Sequence, residues 1–205
     1  VDEQEITAKK SNVLRLLLSG AVLCSNAKLV PPQNKSVNPR YTVLGDPTEA
    51  CLEVVAKKAE IDLDKLNSQY TRILELPFES RRKRMTTIHQ LKDSFEGNQR
   101  IAFVKGSPKE VMELCNRCFK GSKACPISVE DRINIMKAND MYAREGLRVL
   151  AVAYRTIAHN DKKLPRYTNV PLCFLPPDCI LLMSHQLKIP CINCFASASF
   201  VACGT

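Results

Sequence analysis

The sequence predicts an α+β domain in which an antiparallel β-sheet is flanked by helices. Segments with a helical period alternate with segments of period two, without the strict strand–helix–strand rhythm of a doubly wound sheet. The chain has 205 residues, of which 45% are apolar and 25% are charged. These are ordinary values for a globular protein, and a chain of this length can bury a substantial core.

The first helices are predicted from an apolar run and from a capping pattern. Residues 11–25 (SNVLRLLLSGAVLCS) indicate a buried helix, and the Pro and Asn content of residues 31–40 indicates a loop. Asp46 then precedes Pro47, with Glu49 three positions after the Asp. Asp is a good N-cap, Pro favours the first helical position, and Glu completes a capping box, so a helix of about three turns should follow.

The hydrophobic period changes after a short predicted helix over residues 63–69. Residues 72–78 (RILELPF), 85–91 (MTTIHQL) and 100–105 (RIAFVK) have the period and composition of strands. The polar segment 92–99 between the last two predicts a hairpin connection.

The third quarter of the sequence repeats the capping pattern. Residues 107–110 (SPKE) predict the start of a helix that runs through Cys115. A further helix is predicted over residues 128–144, with Gly146 as its stop. Residues 147–154 (LRVLAVAY) predict a buried strand.

The charges divide the chain into two parts. The 30 Lys and Arg exceed the 21 Asp and Glu by nine, yet residues 169–205 contain only Asp178 and Lys188 among the charged types. We therefore predict one domain over residues 1–160 and a poorly specified Cys- and Pro-rich tail over residues 161–205. The abrupt change of composition suggests an alternative splice end or an out-of-frame translation for the tail.

Several functional classes are disfavoured by missing signatures. There is no GxxxxGK[ST] phosphate loop, no GxGxxG and no HExxH, and no run of about 20 apolar residues that would span a membrane. The three histidines (His89, His159 and His185) have no companion motif, so we expect them to be structural or exposed. The chain begins with an acidic segment and without Met, which suggests a piece of a longer protein without a secretory signal.

The ten cysteines include two C-x-x-C pairs, Cys115 with Cys118 and Cys191 with Cys194. Their separation of 72 residues is much longer than the usual spacing of a zinc finger, and Cys115 falls on the apolar face of a predicted helix. We therefore expect reduced thiols and no metal site.

Two stretches, residues 76–85 (LPFESRRKRM) and 103–108 (FVKGSP), carry residues suited to a nucleotide. If their strands pair, Phe78, Lys83, Met85, Lys105 and Gly106 could line one depression. A planar base would stack on the Phe ring against a flexible Met wall, the Gly would let the ligand approach the backbone, and two ammonium groups would meet phosphates. The alternative is that Phe78 and Met85 are core residues.

Four motifs, in this order, resemble the nucleotide-binding domain of P-type ATPases, and most closely that of calcium-pump-like type II cation pumps. They are residues 45–49 (GDPTE), 77–85 (PFESRRKRM), 105–110 (KGSPKE) and 146–151 (GLRVLA). The family forms are GDPTE or GEATE, PFxSxRKxM, KGAPE and GLRxLA. The resemblance covers residues 13–156 and implies the α+β fold of that domain.

The resemblance also implies a nucleotide site and the role of each residue. Phe78 would stack on adenine and Glu49 would accept from the adenine amino group, while Lys83 and Lys105 would lie against the base and phosphates. Arg148 would reach the phosphate side. The alternatives are a capping role for Glu49 and a surface ion pair for Arg148. The full set is Glu49, Phe78, Ser80, Lys83, Met85, Lys105, Gly106 and Arg148.

Two positions depart from the family forms, and a third, Ser80, is one at which the family varies. Ser80 stands where some calcium pumps have Arg, and Ser107 and Lys109 replace the Ala and Glu of KGAPE. Glu110 follows one position later and could serve as the cap partner.

The implied ligands and partners are those of a pump. They are ATP, Mg²⁺ held mainly by a phosphorylation domain, and the phosphorylation domain and membrane helices of a parent protein. The chain would be a monomeric cytoplasmic domain of an integral membrane protein. Because the DKTGT acceptor segment is absent, the chain itself should bind ATP without turning it over.

Two other functional classes remain open. The charge of +9 and the basic run 81–84 (RRKR) would also suit a module that binds nucleic acid or another polyanion. An inactive orphan fragment, acting at most through protein contacts, is the third possibility.

Overall fold

A computed structural model describes residues 11–32, 41–92 and 99–157 with their side chains, and residues 180–185 and 200–201 as backbone strands. The helices are α1 (Asn12–Leu23), α2 (Pro47–Lys58), α3 (Leu63–Gln69), α4 (Pro108–Met112) and α5 (Val129–Arg144). The strands are β1 (Lys28–Val30), β2 (Thr42–Leu44), β3 (Tyr70–Glu79), β4 (Arg84–Leu91), β5 (Arg100–Gly106), β6 (Arg117–Lys120), β7 (Lys123–Pro126), β8 (Val149–Ile157), β9 (Ile180–His185) and β10 (Phe200–Val201).

The main sheet has the strand order β3-β4-β5-β8-β9-β6-β7, and β10 pairs with β9 at its side. Its neighbouring strands are antiparallel except for the parallel pair β6 and β9. Strands β1 and β2 form a separate two-stranded ribbon. The predicted α+β class with a mainly antiparallel sheet is confirmed.

One face of the sheet is covered by α1. Ser11 begins this helix by accepting from the Leu14 N–H at 3.2 Å. The apolar stripe of the helix packs with Phe103 of β5 in one buried cluster. Gly20 is required there, because an added Cβ would lie 2.7 Å from the Phe103 ring.

The other face is covered by α4 and α5. Val111 of α4 and Ile135 of α5 share a buried cluster with Val104 and Ala153, which lie on the central strands β5 and β8. Ser128 and Asp131 form a reciprocal capping box at the start of α5, and Gly146 follows its end with φ +74°. The sheet is thus sandwiched between α1 on one face and α4 and α5 on the other.

The predicted helices over residues 11–25, 63–69 and 128–144 and after Asp46 are confirmed, as are the strands over residues 72–78, 85–91, 100–105 and 147–154. The helix predicted from residue 107 through Cys115 is wrong in length. It ends at Met112, and Arg132 donates to the carbonyls of Met112 and Cys115 at 2.9 and 2.6 Å, which satisfies the end of the helix from another element.

The prediction of a distinct tail over residues 161–205 stays a prediction. The backbone of β9, within that tail, lies between β8 and β6. The expected loop 31–40 falls mostly outside the described residues, as do most of the connection 92–99, His159, Cys191 and Cys194.

Candidate functional site

The candidate residues gather at one end of the sheet, where β3 and β5 end and β4 and β8 begin. Met85 of β4 stands opposite Lys105 of β5. Between the pairs Leu76–Thr86 and Glu79–Arg84, β3 has one residue more than β4. This bulge sets Pro77 and Phe78 together opposite Met85. Phe78, Met85 and Lys105 therefore lie in one row across three strands.

Phe78 presents a large apolar surface to solvent at the end of this row. It is 61% exposed, although Phe is among the residue types that are most often buried. Ser80, also exposed, follows in the turn that joins β3 to β4. The ring is available for stacking, and its alternative reading as a core residue does not describe this structure.

Met85 lies deeper in the same row. Its side chain is only 2% exposed and belongs to the buried cluster beneath α1. Its backbone carbonyl accepts from the Cys24 thiol at 3.6 Å. Met85 therefore packs in the core below the row, and its role as a wall of a ligand site stays a prediction.

Lys105 is almost fully buried, at 5% exposure, and its charge is paired. Its Nζ lies 2.8 Å from Oε1 of Glu49 in the first turn of α2. The other carboxylate oxygen, Oε2, accepts from the Asn26 N–H at 2.7 Å, from the Ser25 hydroxyl at 3.2 Å and from the Ala27 N–H at 3.3 Å. Glu49 thus joins α2 to β5 and to the segment that follows α1.

These donors decide the charge state of Glu49. Burial alone would raise the pKa of its carboxyl, but the hydrogen bond and charge of Lys105, with the donors of Asn26 and Ser25, outweigh burial and hold the pKa below its usual value. The Glu49 carboxyl is therefore ionised at neutral pH.

The predicted capping box of α2 is corrected by this geometry. Asp46 is the N-cap as expected and accepts from the N–H groups of Thr48 and Glu49 at 2.7 and 3.3 Å. The Glu49 side chain, however, accepts from other elements, because a buried ammonium offers a stronger partner than the cap backbone. Arg148, just before β8, donates to the Thr48 hydroxyl at 3.2 Å and so lies beside the same first turn.

Lys83 and Gly106 are in close contact next to this row, where Arg84 of β4 stands opposite Gly106 of β5. Lys83 has φ +49°, and its carbonyl accepts from the Ser107 N–H at 3.0 Å. A Cβ on Gly106 would collide with that carbonyl and would lie 2.7 Å from the Arg84 Cβ. The Lys83 ammonium lies 3.1 Å from Glu110, so Glu110 pairs with a lysine in a second Lys–Glu contact at this end of the sheet.

Sequence reasoning missed the donors of Ser25 to Ala27 and the guanidinium of Arg72, which holds that segment. These residues lie more than 20 positions from Glu49 in the sequence, and only the fold brings them to its carboxylate. The polar residues directly after the apolar run of α1 were the only available signal.

His89, the one histidine whose side chain the structure describes, lies away from this end of the sheet. His89 is buried between Thr87, Tyr70 and Phe103, which agrees with the expected structural role. Among the side chains that the structure describes, no group of three or more His, Cys, Asp or Glu could hold a metal ion. No helix of the described residues is long and apolar enough to cross a membrane.

Comparison with known proteins shows the family of the chain. The family model for the P-type ATPase cytoplasmic domain N matches residues 13–175. The chain is 32% identical over 161 residues to a calcium-transporting ATPase of Lactococcus lactis, and 31% identical over 157 residues to one of Bacillus subtilis. It is 31% identical over 152 residues to a sodium/potassium exporting P-type ATPase of Schizosaccharomyces pombe.

These alignments cover 78%, 77% and 73% of this chain but only 17%, 17% and 14% of the respective relatives. The chain therefore spans about one sixth of the length of the curated relatives it matches. The motifs, the α+β fold and the family match agree over most of the residues described. The chain belongs to the P-type ATPase cytoplasmic domain N family.

Proposed function

We propose that this chain binds the adenine nucleotide ATP at the β3–β4–β5 end of its sheet. The observation that carries the proposal is the exposed Phe78 ring in the row that leads through Met85 to Lys105. An aromatic face in solvent offers a base a stacking interaction worth on the order of 1–3 kcal/mol, and the neighbouring cationic groups can pair with phosphates.

Two exposed cationic groups near the row suit the phosphates. Lys83 lies directly before β4, and Arg148 lies beside the first turn of α2. Lys105 has an ammonium with three donors, of which one is directed at Glu49, so it can also donate to a ligand. We infer that Glu49 supports the site mainly by holding Lys105, because both of its oxygens already accept hydrogen bonds.

Mg²⁺ would arrive with ATP and would be held mainly by a phosphorylation domain outside this sequence. When bound, the ion would neutralise phosphate charge. We propose that the chain serves a cation-transporting ATPase as its nucleotide-binding domain and presents ATP to that neighbour. The chain itself would bind without hydrolysis, with an affinity on the order of 0.1–1 mM.

The test is a titration with ATP and with GTP, on the natural chain and on Phe78→Ala. ATP should bind more tightly than GTP, and Phe78→Ala should weaken ATP binding about 5- to 100-fold, the loss of one stacked base. Ile73→Ala is the matched control, since Ile73 is also an exposed apolar residue of β3. Equal responses to both nucleotides, unchanged by Phe78→Ala, would contradict the proposal.

The polyanion alternative is tested in the same titration by varying salt. Two of the four basic residues of the run 81–84 are half-buried and engaged within the chain, Arg82 with Glu79 at 2.6 Å and Arg84 with the Arg82 carbonyl at 3.3 Å. We therefore expect weak binding to duplex DNA. A steep decrease of affinity with salt, similar for DNA and ATP, would favour the alternative.

A further inference from the structure

The end of α1 is held by a guanidinium that no motif singles out. Arg72, near the start of β3, donates through Nη2 to the carbonyls of Leu23 and Ser25 at 2.6 and 2.7 Å. Through Nη1 it donates to Oδ1 of Asn26 at 2.6 Å and to Glu75 at 3.0 Å. One planar group thus binds two backbone carbonyls, an amide and a carboxylate.

Asn26 connects this cluster to Glu49, because its side chain and its backbone bind different partners. Its side chain accepts from Arg72 and donates to Glu75 at 2.7 Å. Its backbone N–H donates at 2.7 Å to Oε2 of Glu49, the carboxylate that pairs with Lys105. A continuous chain of contacts of 2.6–2.8 Å therefore runs from Arg72 through Asn26 and Glu49 to Lys105.

We propose that Arg72 is a positioning residue of the nucleotide site, which orients the Glu49 carboxylate, and through it the Lys105 ammonium, by fixing the segment Leu23 to Asn26. This inference rests on the proposed binding of ATP. Arg72 itself pairs with His89 of β4 and lies six residues from Phe78 along β3, about 20 Å at the rise of a strand. Arg72 is therefore too far from Phe78 to contact a base stacked there, and its proposed role is indirect.

The geometry requires Arg rather than Lys. The four acceptors lie around a flat fork whose donors point in fixed directions, and a single ammonium on a flexible stem cannot donate to all of them. Without the fork, the Asn26 N–H would no longer be held against Oε2 of Glu49. The carboxylate could then rotate, and Lys105 would lose its fixed position.

The experiment measures ATP affinity for Arg72→Lys, with Arg132→Ala as the matched control. Arg132 also donates to two backbone carbonyls at the end of a helix, but on the opposite face of the sheet. We expect Arg72→Lys to weaken ATP binding about 3- to 10-fold and Arg132→Ala to leave it unchanged, although both lower the unfolding temperature. Equal losses of affinity in both variants would reduce Arg72 to a general stabiliser and overturn the proposal.

A double-mutant cycle separates action through Glu49 from any other route. In a Glu49→Gln background, Arg72→Lys should cause no further loss of ATP affinity, because the carboxylate it orients is gone. Additive losses would overturn the proposal. A second readout is the pKa of the Glu49 carboxyl, followed by ¹³C NMR, which should rise in Arg72→Lys and stay unchanged in Arg132→Ala.

Failure of this inference and failure of the proposed function give different results. If the natural chain binds no ATP, the proposed function is wrong and the positioning role falls with it. If the natural chain binds ATP and prefers it to GTP, but Arg72→Lys binds equally well, the proposed function stands and only the role of Arg72 is wrong.

Discussion

At the scale of single residues, Glu49 shows how far a motif can be interpreted without coordinates. Its place three residues after Asp46 predicts a capping box, and the Asp46 cap is present. The carboxylate nevertheless binds Lys105 and the segment after α1. A cap and a buried ion pair have the same local sequence, so only the tertiary neighbours decide between them.

Gly106 gives a residue-scale prediction. In Gly106→Ala the new Cβ would collide with the Lys83 carbonyl, which cannot move without breaking its hydrogen bond to the Ser107 N–H. We expect a loss of about 1–3 kcal/mol in the free energy of unfolding and a weaker affinity for ATP, because the turn that carries Lys83 shifts. Urea denaturation and a nucleotide titration measure the two effects.

Gly121→Ala is the control for this variant. Gly121 has φ +59° but no atom within 4 Å of an added Cβ, so it should lose stability through backbone strain alone and keep its ATP affinity. A Gly106→Ala variant as stable as the natural chain would contradict the packing described.

The buried His89 predicts how the free energy of unfolding depends on pH. Burial is the main cause that lowers the pKa of its imidazole from 6.5 to about 4, so the folded chain keeps the ring neutral. The stabilisation is complete above pH 6.5 and is lost as the pH falls from 6.5 towards 4, because the unfolded chain binds the proton first. The full effect is at most about 3 kcal/mol.

Urea denaturation between pH 7 and pH 4 tests the His89 prediction. In His89→Gln this part of the pH dependence should disappear. An equal decrease of stability in both proteins would assign it to other groups.

At the scale of elements, the sequence predicted those helices and strands that have a clear cap or a clear hydrophobic period. Ser11, Asp46 and Ser128 mark three helix starts, and each is the N-cap in the structure. The strands of three or four residues, β1, β2, β6 and β7, were missed because so short a segment has no measurable period. The same limit applies to the site, since its motifs were recognised while the Arg72 cluster, drawn from separate elements, was not.

The caps of α2 and α5 should differ in their effect on binding. Asp46→Ala and Ser128→Ala each remove an N-cap and should each cost about 0.5–2 kcal/mol in the free energy of unfolding. Only Asp46→Ala should also weaken ATP binding, because the first turn of α2 carries Glu49 and contacts Arg148. Calorimetric titration of both variants checks this, and an equal loss of affinity in the two would refute it.

At the scale of the whole molecule, the relatives share this domain across pumps named for different cations. The identity is 32% to a calcium-transporting ATPase and 31% to a sodium/potassium exporting one. This chain is therefore about equally similar to relatives named for different ions. Such a pattern fits our proposal that the domain handles the nucleotide, which these pumps have in common.

Catalysis gives the prediction for the whole chain. No DKTGT segment occurs in the sequence, so no aspartate of that motif can accept a phosphoryl group. We expect the purified chain with ATP and Mg²⁺ to release no phosphate above the background of a protein-free sample. Any release that Phe78→Ala abolishes would show that the chain turns over bound nucleotide and would contradict the prediction.

The central claim is that the purine lies on Phe78 at the Lys105 end of the sheet. Intermolecular nuclear Overhauser effects between adenine protons and the chain, measured near saturation with ATP, test it most directly. The account predicts contacts from the adenine H2 and H8 protons to the Phe78 ring. Contacts to another surface in their place, such as the exposed Val129 and Ile133 of α5, would contradict it.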